Sequence, residues 1–436
     1  MIRAHRIALR PGVLARREMG RAAWARRLAF NAALAWHHEE REAGRPVPGE
    51  YTTAAWLRAW RKGAATDKPD LARVPARVFE YVAEDLERAW KARGAGRAGA
   101  PRFDRFDPEA GGFAVDGPVH VGATHIRVPR TGPVRIMPNR RPGARSGQVP
   151  AGVYSKARLV REHGEWFAIL TLQAPDVAPI PGPPTIGLDW GVRKLATLSD
   201  GTVYSNPKAL EQVAVQAEKA RQSIARKVKA SDKRHGPMKK GERRPKQSRR
   251  LARARRKLSG QLLRAANIRK NAIHHATKAI AARGEHVAAE ALRPRNMTGR
   301  RVGKGRAAKA ALNRRVLDAA PGIFLRTLAY KLTVKGRELV RVNPAYTSQD
   351  CSACRQRTDC GSNETFTCAA CGSVMDRDVN AAKNILARAL LPPDVSAGWT
   401  ARRRAGSAGK TKRGAQAPRP HGAAIREQKE VRDASV

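Results

Sequence analysis

All five cysteines of the chain fall between positions 351 and 371, and four of them form two knuckles, Cys351-Ser-Ala-Cys354 and Cys368-Ala-Ala-Cys371, thirteen residues apart. A secreted fold stapled by disulfides spreads its cysteines, so this clustering predicts one local site. Four thiolates so spaced can close a tetrahedron around one Zn²⁺, with Zn–S near ~2.3 Å and no position left open for catalysis. The site is therefore read as structural. Metal binding can contribute ~10 to 16 kcal/mol to folding and so hold a segment too short to build its own core. Redox-active CxxC pairs are the alternative, which two pairs at ribbon spacing fit poorly. Cys360 is left over and is read as a free thiol rather than a ligand.

Charge constrains the partner. Across 436 residues, 86 Lys plus Arg stand against 37 Asp plus Glu, a net +49, while 42% hydrophobic residues suffice for real cores. Such a chain repels itself unless a polyanion neutralises it, and nucleic acid is the matching polyanion. Small-molecule metabolism is a poor fit. No run approaches the ~18 apolar residues of a membrane span. Arg3, Arg6 and Arg10 interrupt the start and leave no apolar stretch for secretion, so a cytoplasmic, nucleoid-associated protein is expected.

Residues 12 to 94 read as helical: Val78, Val82, Leu86 and Trp90 fall four apart behind Pro75, and Trp24/Leu28 and Phe30/Leu34 repeat the spacing. Five of the eight tryptophans (24, 36, 56, 60 and 90) sit here and read mainly as core anchors, with base stacking as the minor option for one or two. From about 99 to 173, short alternating runs such as Ile126-Arg-Val128 and Val134-Arg-Ile136 predict a small antiparallel sheet or barrel. Pro175, Pro179, Pro181, Pro183 and Pro184 then form a stiff linker. Beyond it, residues 185 to 191 read as a strand, 194 to 205 as a hairpin turned at Asp200-Gly201, and 208 to 283 as mostly helix. Between 221 and 270, 20 Lys plus Arg face only Asp232 and Glu242. There Leu251, Ala254, Leu258, Leu262 and Ala265 form a packing stripe, leaving Arg253, Arg255, Arg256, Lys257 and Arg264 for solvent or phosphate. A further apolar run at 286 to 292, a basic loop to 306, a helix near 316 to 335, a strand at 338 to 342 and a last helix at about 378 to 391 complete the order; the basic tail after it is expected to be disordered.

Acids are scarce, so their positions are informative. Asp189 lies inside an apolar strand, Glu290 ends Val287-Ala-Ala, and Asp378 opens the last helix. An ionised carboxylate in such surroundings is costly without a cation. Each also has a plain reading: Asp378 as a helix N-cap, Glu290 as a surface acid at a strand end, Asp189 as a turn residue. Spacing alone permits a cluster without requiring one.

The ordered motifs Ile186-Gly-Leu-Asp189-Trp-Gly-Val-Arg-Lys-Leu-Ala-Thr-Leu-Ser-Asp-Gly201, Glu290-Ala-Leu with Asn296-Met297, Asn343-Pro-Ala-Tyr-Thr-Ser-Gln349, and Asp376-Arg-Asp378-Val-Asn-Ala-Ala-Lys-Asn-Ile385 resemble the transposon-encoded TnpB family, itself similar to the smaller type V CRISPR effectors. The segments 2 to 35 and 78 to 106 resemble that family's recognition and wedge segments, so the likeness covers most of residues 1 to 390. The resemblance implies a multidomain α+β protein: a helical recognition bundle at 12–94, and a wedge-like β-barrel from 1–11 and 95–175. It further implies an RNase H-like RuvC α/β nuclease domain from 183–343 and 373–391, a zinc ribbon inserted at 344–372, and a tail at 392–436.

Activity follows from the same resemblance: RNA-guided DNA endonuclease, with Asp189, Glu290 and Asp378 matching the family's catalytic, Mg²⁺-binding acids and Cys351, Cys354, Cys368 and Cys371 its Zn²⁺ ligands. Asp376 is passed over because the family's last acid directly precedes the x-Asn-Ala-Ala stretch. Two Mg²⁺ ions ~3.5 to 4 Å apart would activate water and stabilise the leaving oxygen. The expected partners are a guide RNA and double-stranded target DNA carrying a short adjacent motif, bound by a monomer. Alternatives are a guided DNA-binding repressor without cleavage and a compact CRISPR effector; a transposase proper finds no supporting motif. The family often has Glu-Asp-Leu where this chain has Glu290-Ala291-Leu292, and Gly after the second cysteine where it has Arg355.

Overall fold

The computed structural model describes residues 2–105, 107, 110–128, 131–137, 152–173, 176–236, 248–299, 305–359, 361 and 363–391. Cys360, Pro175, the basic residues 237–247, part of the 293–306 loop and the tail lie outside these. The fold is mixed α/β and divides into two compact units, Met1–Ala178 with Leu210–Asn267 and Pro179–Ala209 with Ile268–Val436.

In the first unit, β1 (Ile2–Arg10), β2 (Gly111–Val121), β3 (His125–Val128), β4 (Gly132–Ile136), β5 (Gly152–Glu162) and β6 (Glu165–Gln173) pair in the order β1-β4-β3-β2-β5-β6. β6 returns to β1, from Ile2↔Gln173 to Leu9↔Trp166, so the strands close into a barrel without a free edge. His163 and Gly164, both at positive φ (52° and 83°), make the two-residue turn between β5 and β6, matching the twist of a tight hairpin. β2 lies within the stretch from about 99 to 173 expected to form an antiparallel sheet or barrel. In the structure the β2–β5 register shifts between Asp116 and Val119, so a bulge lets the strand continue.

Three helices, α1 (Val13–Glu42), α2 (Glu50–Asp67) and α3 (Ala76–Gly94), share one core with the barrel. The buried face of α1 is mostly small: Ala15, Met19, Ala22, Ala25, Ala29 and Ala33 recur at spacings of three and four, while Trp24, Leu28 and Phe30 pack at its margin. Val78, Val82 and Leu86 are fully buried as the four-residue spacing predicts, and Pro75 stands at the N-cap of α3. Trp36 stacks on Trp56 (4.9 Å between centroids, 4° between planes), and Trp56 in turn on Trp60. His37 is fully buried: Trp90 Nε1 donates to its Nδ1 at 3.0 Å, so Nε2 carries the proton and faces Thr53 Oγ1 at 2.9 Å. Burial pulls His37 down to about 4.

Two long helices follow, α4 (Ala209–His235) and α5 (Arg249–Ala282). Of the stripe expected on α5, Leu251, Ala254 and Ala265 are buried, Leu258 is half-buried and Leu262 is exposed. Arg253, Arg255, Arg256, Lys257 and Arg264 are exposed.

The second unit is built on a five-stranded sheet of β7 (Ile186–Asp189), β8 (Lys194–Leu198), β9 (Val203–Ser205), β10 (Val287–Glu290) and β11 (Leu339–Val342), ordered β11-β10-β7-β8-β9. β10 runs parallel to β7 and β11, while β8 is antiparallel to both of its neighbours. After β10 come α6 (Pro294–Met297), α7 (Arg306–Ala319) and α8 (Pro321–Thr333). The single helix expected near 316 to 335 is thus two: Ala320 takes a left-handed φ of 49° and Pro321 starts the next helix, because proline cannot donate into the preceding one. Ile186, Leu188, Val287 and Ala289 share a core with Ile273 and Ile280 of α5 and Phe324 and Leu328 of α8. On the other face, Ala288 and Val342 meet Ile385 of α9 (Arg377–Ala389). With both faces covered, the central strands are continuous apolar runs. Two short strands, β12 (Thr365–Thr367) and β13 (Val374–Asp376), form a hairpin within the cysteine segment. No helix among the described residues is long and apolar enough to cross a membrane.

Candidate active site and metal centre

β7 and β10 both run apolar until their last residue, which is an acid. The parallel register Ala289↔Leu188 brings the ends of the two strands side by side, so Asp189 and Glu290 stand at the same carboxyl edge of the sheet, where open α/β sheets present ligand sites. α9 packs over β7, and its first turn carries Asp378.

The electrostatics reflect the convergence. Burial first, then the Glu290 and Asp378 carboxylates, push Asp189 well above the usual carboxylate range; Arg377 opposes this and Asp376 adds to it. Burial also raises Glu290, against a hydrogen bond from Thr347 and the nearby Arg388. Half-buried carboxylates that raise one another in this way are oxygen ligands of the kind hard divalent ions take. The acids do not form a tight knot on their own. Among the described residues the four cysteines are the one group of three or more His, Cys, Asp or Glu whose ligand atoms all lie within 4.8 Å of one another.

Asp376 and Asp378 have different jobs. Asp376 Oδ1 accepts from the backbone N–H of Asp378 (2.9 Å) and Val379 (3.2 Å), which makes it the N-cap of α9 and removes the capping reading from Asp378. Lys194 Nζ lies 2.6 Å from Asp376 and 3.3 Å from Asp378. Lys194, Thr347 and Arg388 were not singled out by sequence, because nothing local to them betrays their partners.

The cysteine centre is compact. Sγ atoms of Cys351 and Cys371 are 3.7 Å apart and those of Cys354 and Cys368 3.5 Å. A tetrahedron with ~2.3 Å metal–sulfur bonds has an edge of ~3.8 Å, so the spacing fits Zn²⁺. These separations are far beyond the ~2.05 Å of a disulfide. The backbone N–H of Cys371 draws Cys368 down to about 6, while burial and the neighbouring thiols, against the N–H of Gln356, push Cys354 up to about 12. Fully buried Phe366 packs with Cys351 and Cys368 as the segment's small core. Arg355, at the position where the family often has glycine, adopts a left-handed φ of 66°.

The chain is 31% identical over 396 residues to "Putative RNA-guided DNA endonuclease InsQ" of Escherichia coli K12, an alignment spanning 88% of this chain and 92% of that protein. The chain belongs to the TnpB family. A family profile described as "Probable transposase" matches residues 169–301 of this TnpB member, and one described as "Cas12f1-like, TNB domain" matches residues 322–385. The TnpB-like protein L79 of Acanthamoeba polyphaga mimivirus is 38% identical over 84 residues, 19% of this chain and 16% of its own. Among solved structures, the Cas12f1–sgRNA–target DNA complex aligns with 86% of this chain and 82% of its own at a TM-score of 0.47 and 15% identity.

Proposed function

We propose that the chain is an RNA-guided DNA endonuclease that hydrolyses target phosphodiester bonds at a divalent-metal site made by Asp189, Glu290 and Asp378. The observation that supports this reading is that Asp189 and Glu290 end paired strands at one edge of the sheet, with Glu290 and Asp378 both near enough to raise the half-buried Asp189 carboxyl. The name of the E. coli relative supports it.

Asp189 and Glu290 are fixed by the backbone of paired strands, so their carboxylates enter the site from a rigid floor. Asp378 comes from a helix start anchored by the Asp376 cap, and Lys194 offsets the negative charge of both. These acids would hold two Mg²⁺, which supply charge for water activation and for the departing 3′ oxygen. The thiolates of Cys351, Cys354, Cys368 and Cys371 would hold one Zn²⁺ in a structural role. Exposed arginines of α5 supply phosphate contacts for guide RNA or heteroduplex, and base pairing supplies the sequence specificity. In domain terms we read 12–94 as recognition bundle, 1–11 with 95–175 as wedge, 183–343 with 373–391 as RuvC-like nuclease and 344–372 as ribbon. The sheet order β11-β10-β7-β8-β9 supports the RNase H-like reading.

The test is to express the protein with its native flanking sequence, sequence the RNA that copurifies, and challenge the complex with matching duplex DNA and Mg²⁺. Cutting that disappears in Asp189→Ala while RNA binding persists is the expected result. Binding without cutting by the unaltered complex would favour a guided repressor instead.

A further inference from the structure

Between the cysteine centre and Glu290 lies a continuous buried polar network that the proposed chemistry does not use. It is built on one stripe of α9. Asn380, Asn384 and Arg388 recur every four residues, so their side chains leave the helix on the same face, and all three are buried. They clamp the segment 343–352. Arg388 Nη1 donates to the carbonyls of Asn343 (3.0 Å) and Ala345 (2.6 Å), and its Nη2 to Asp350 Oδ2 (2.9 Å). Asn384 Nδ2 donates to the Thr347 and Asp350 carbonyls (2.9 and 2.5 Å). Asn380 Nδ2 donates to the Asp350 carbonyl at 2.8 Å and its Oδ1 accepts from the Ser352 N–H at 2.8 Å, inside the first knuckle.

Two features indicate that this clamp sets a conformation. Tyr346 sits at φ 64°, a left-handed backbone that a bulky L-residue adopts only when its surroundings impose it. Arg357, itself 3.3 Å from Asp350, lies over the Tyr346 ring at 3.4 Å. The next residue, Thr347, is 3% exposed and turns its hydroxyl to Glu290 Oε1, with the Pro344 carbonyl 3.1 Å away as the competing acceptor. A hydroxyl has one proton, and the charged oxygen is the stronger acceptor.

Resting on the metal-site reading above, we propose that Thr347 and Arg388 are positioning residues for Glu290: Arg388 locks the 343–350 segment and Thr347 fixes the carboxylate for the divalent ion. Both residues are buried and act through Glu290. Partners that orient a metal-ligating carboxylate typically change metal affinity by ~10- to 100-fold when removed. The network also makes the cysteine knuckle a structural support for Glu290, since Asp350 and Ser352 belong to the same clamped segment.

The test uses the RNA-loaded complex and reads Mn²⁺ binding by calorimetry, with Asp189→Ala defining the signal that belongs to the acids. Thr347→Val keeps shape and removes the hydroxyl; Thr347→Ser keeps the hydroxyl. Expected are a weakening of Mn²⁺ binding by about 10-fold or more in Thr347→Val, near-normal binding in Thr347→Ser, and unchanged zinc content and DNA affinity in both. Arg388→Gln, with zinc content again measured to show that the ribbon is folded, should weaken Mn²⁺ binding in the same sense. Normal Mn²⁺ affinity in Thr347→Val, in a complex that binds the ion and cuts, overturns the positioning role while leaving the nuclease reading intact. An unaltered complex that neither binds Mn²⁺ at the acids nor cuts refutes the nuclease reading, and the positioning role with it.

Discussion

Gly187 in β7 lies directly under Ala382 of α9: a Cβ at position 187 would sit 1.9 Å from the Ala382 carbonyl oxygen and 2.9 Å from Leu386 Cβ. No side chain can occupy that space, so α9, the helix that carries Asp378, rests on the bare backbone of the strand that ends in Asp189. Gly187→Ala must push the helix away. Overpacking of this kind typically costs ~1 to 3 kcal/mol, and thermal melts should show it. On the proposed mechanism cleavage should fall more steeply than RNA binding, because the strand and helix acids separate; a variant that cuts normally would show that their spacing does not matter.

The two aspartates of the Asp376-Arg-Asp378 stretch should separate cleanly by mutation. Asp376→Ala loses the cap of α9 and should lower stability by ~1 kcal/mol while retaining measurable cleavage. Asp378→Asn keeps the cap and should leave the melting temperature nearly unchanged while cleavage drops to background. The reverse pattern in paired melting and cleavage assays would exchange their roles.

Zinc should be present at one ion per chain by elemental analysis. Cys368→Ser replaces a buried ligand of the cysteine set, so zinc content should fall sharply and the 344–372 segment should become sensitive to limited proteolysis. Retention of zinc and protease resistance in that variant would contradict a four-sulfur centre.

Stability should weaken on mild acidification. His37 is held neutral with its proton on Nε2, and protonating Nδ1 would break the bond from Trp90. Its folded value is about 4 against 6.5 for an unhindered histidine. Between those pH values the unfolded chain takes up a proton that the folded chain refuses, so stability is lost as pH falls from 6.5 toward 4, by about 3 kcal/mol at most. Melts across this window should be shallower in pH dependence for His37→Gln than for the unaltered protein.

Much of the second unit was readable in advance for a physical reason. A sheet covered on both faces forces apolar runs, and an acid closing such a run, as at Asp189 and Glu290, is conspicuous. Spacing could not decide whether Asp378 was a cap, since Asp376 has the same composition two residues earlier; only the hydrogen bonds to the N–H groups of Asp378 and Val379 distinguish them. The break at Ala320 was hidden because the apolar periodicity continues across it. The roles of Lys194, Thr347 and Arg388 depend on partners 182, 57 and 38 residues away, which no local pattern encodes.

The late position of α9 affects every unfinished copy of the protein. Asp378 follows Asp189 and Glu290 in the chain and is the last of the three acids to be synthesised. A product terminated before α9 carries the residues of the barrel and its helices but lacks the final acid. On the proposed mechanism such a fragment cannot complete the metal site and is inert toward DNA.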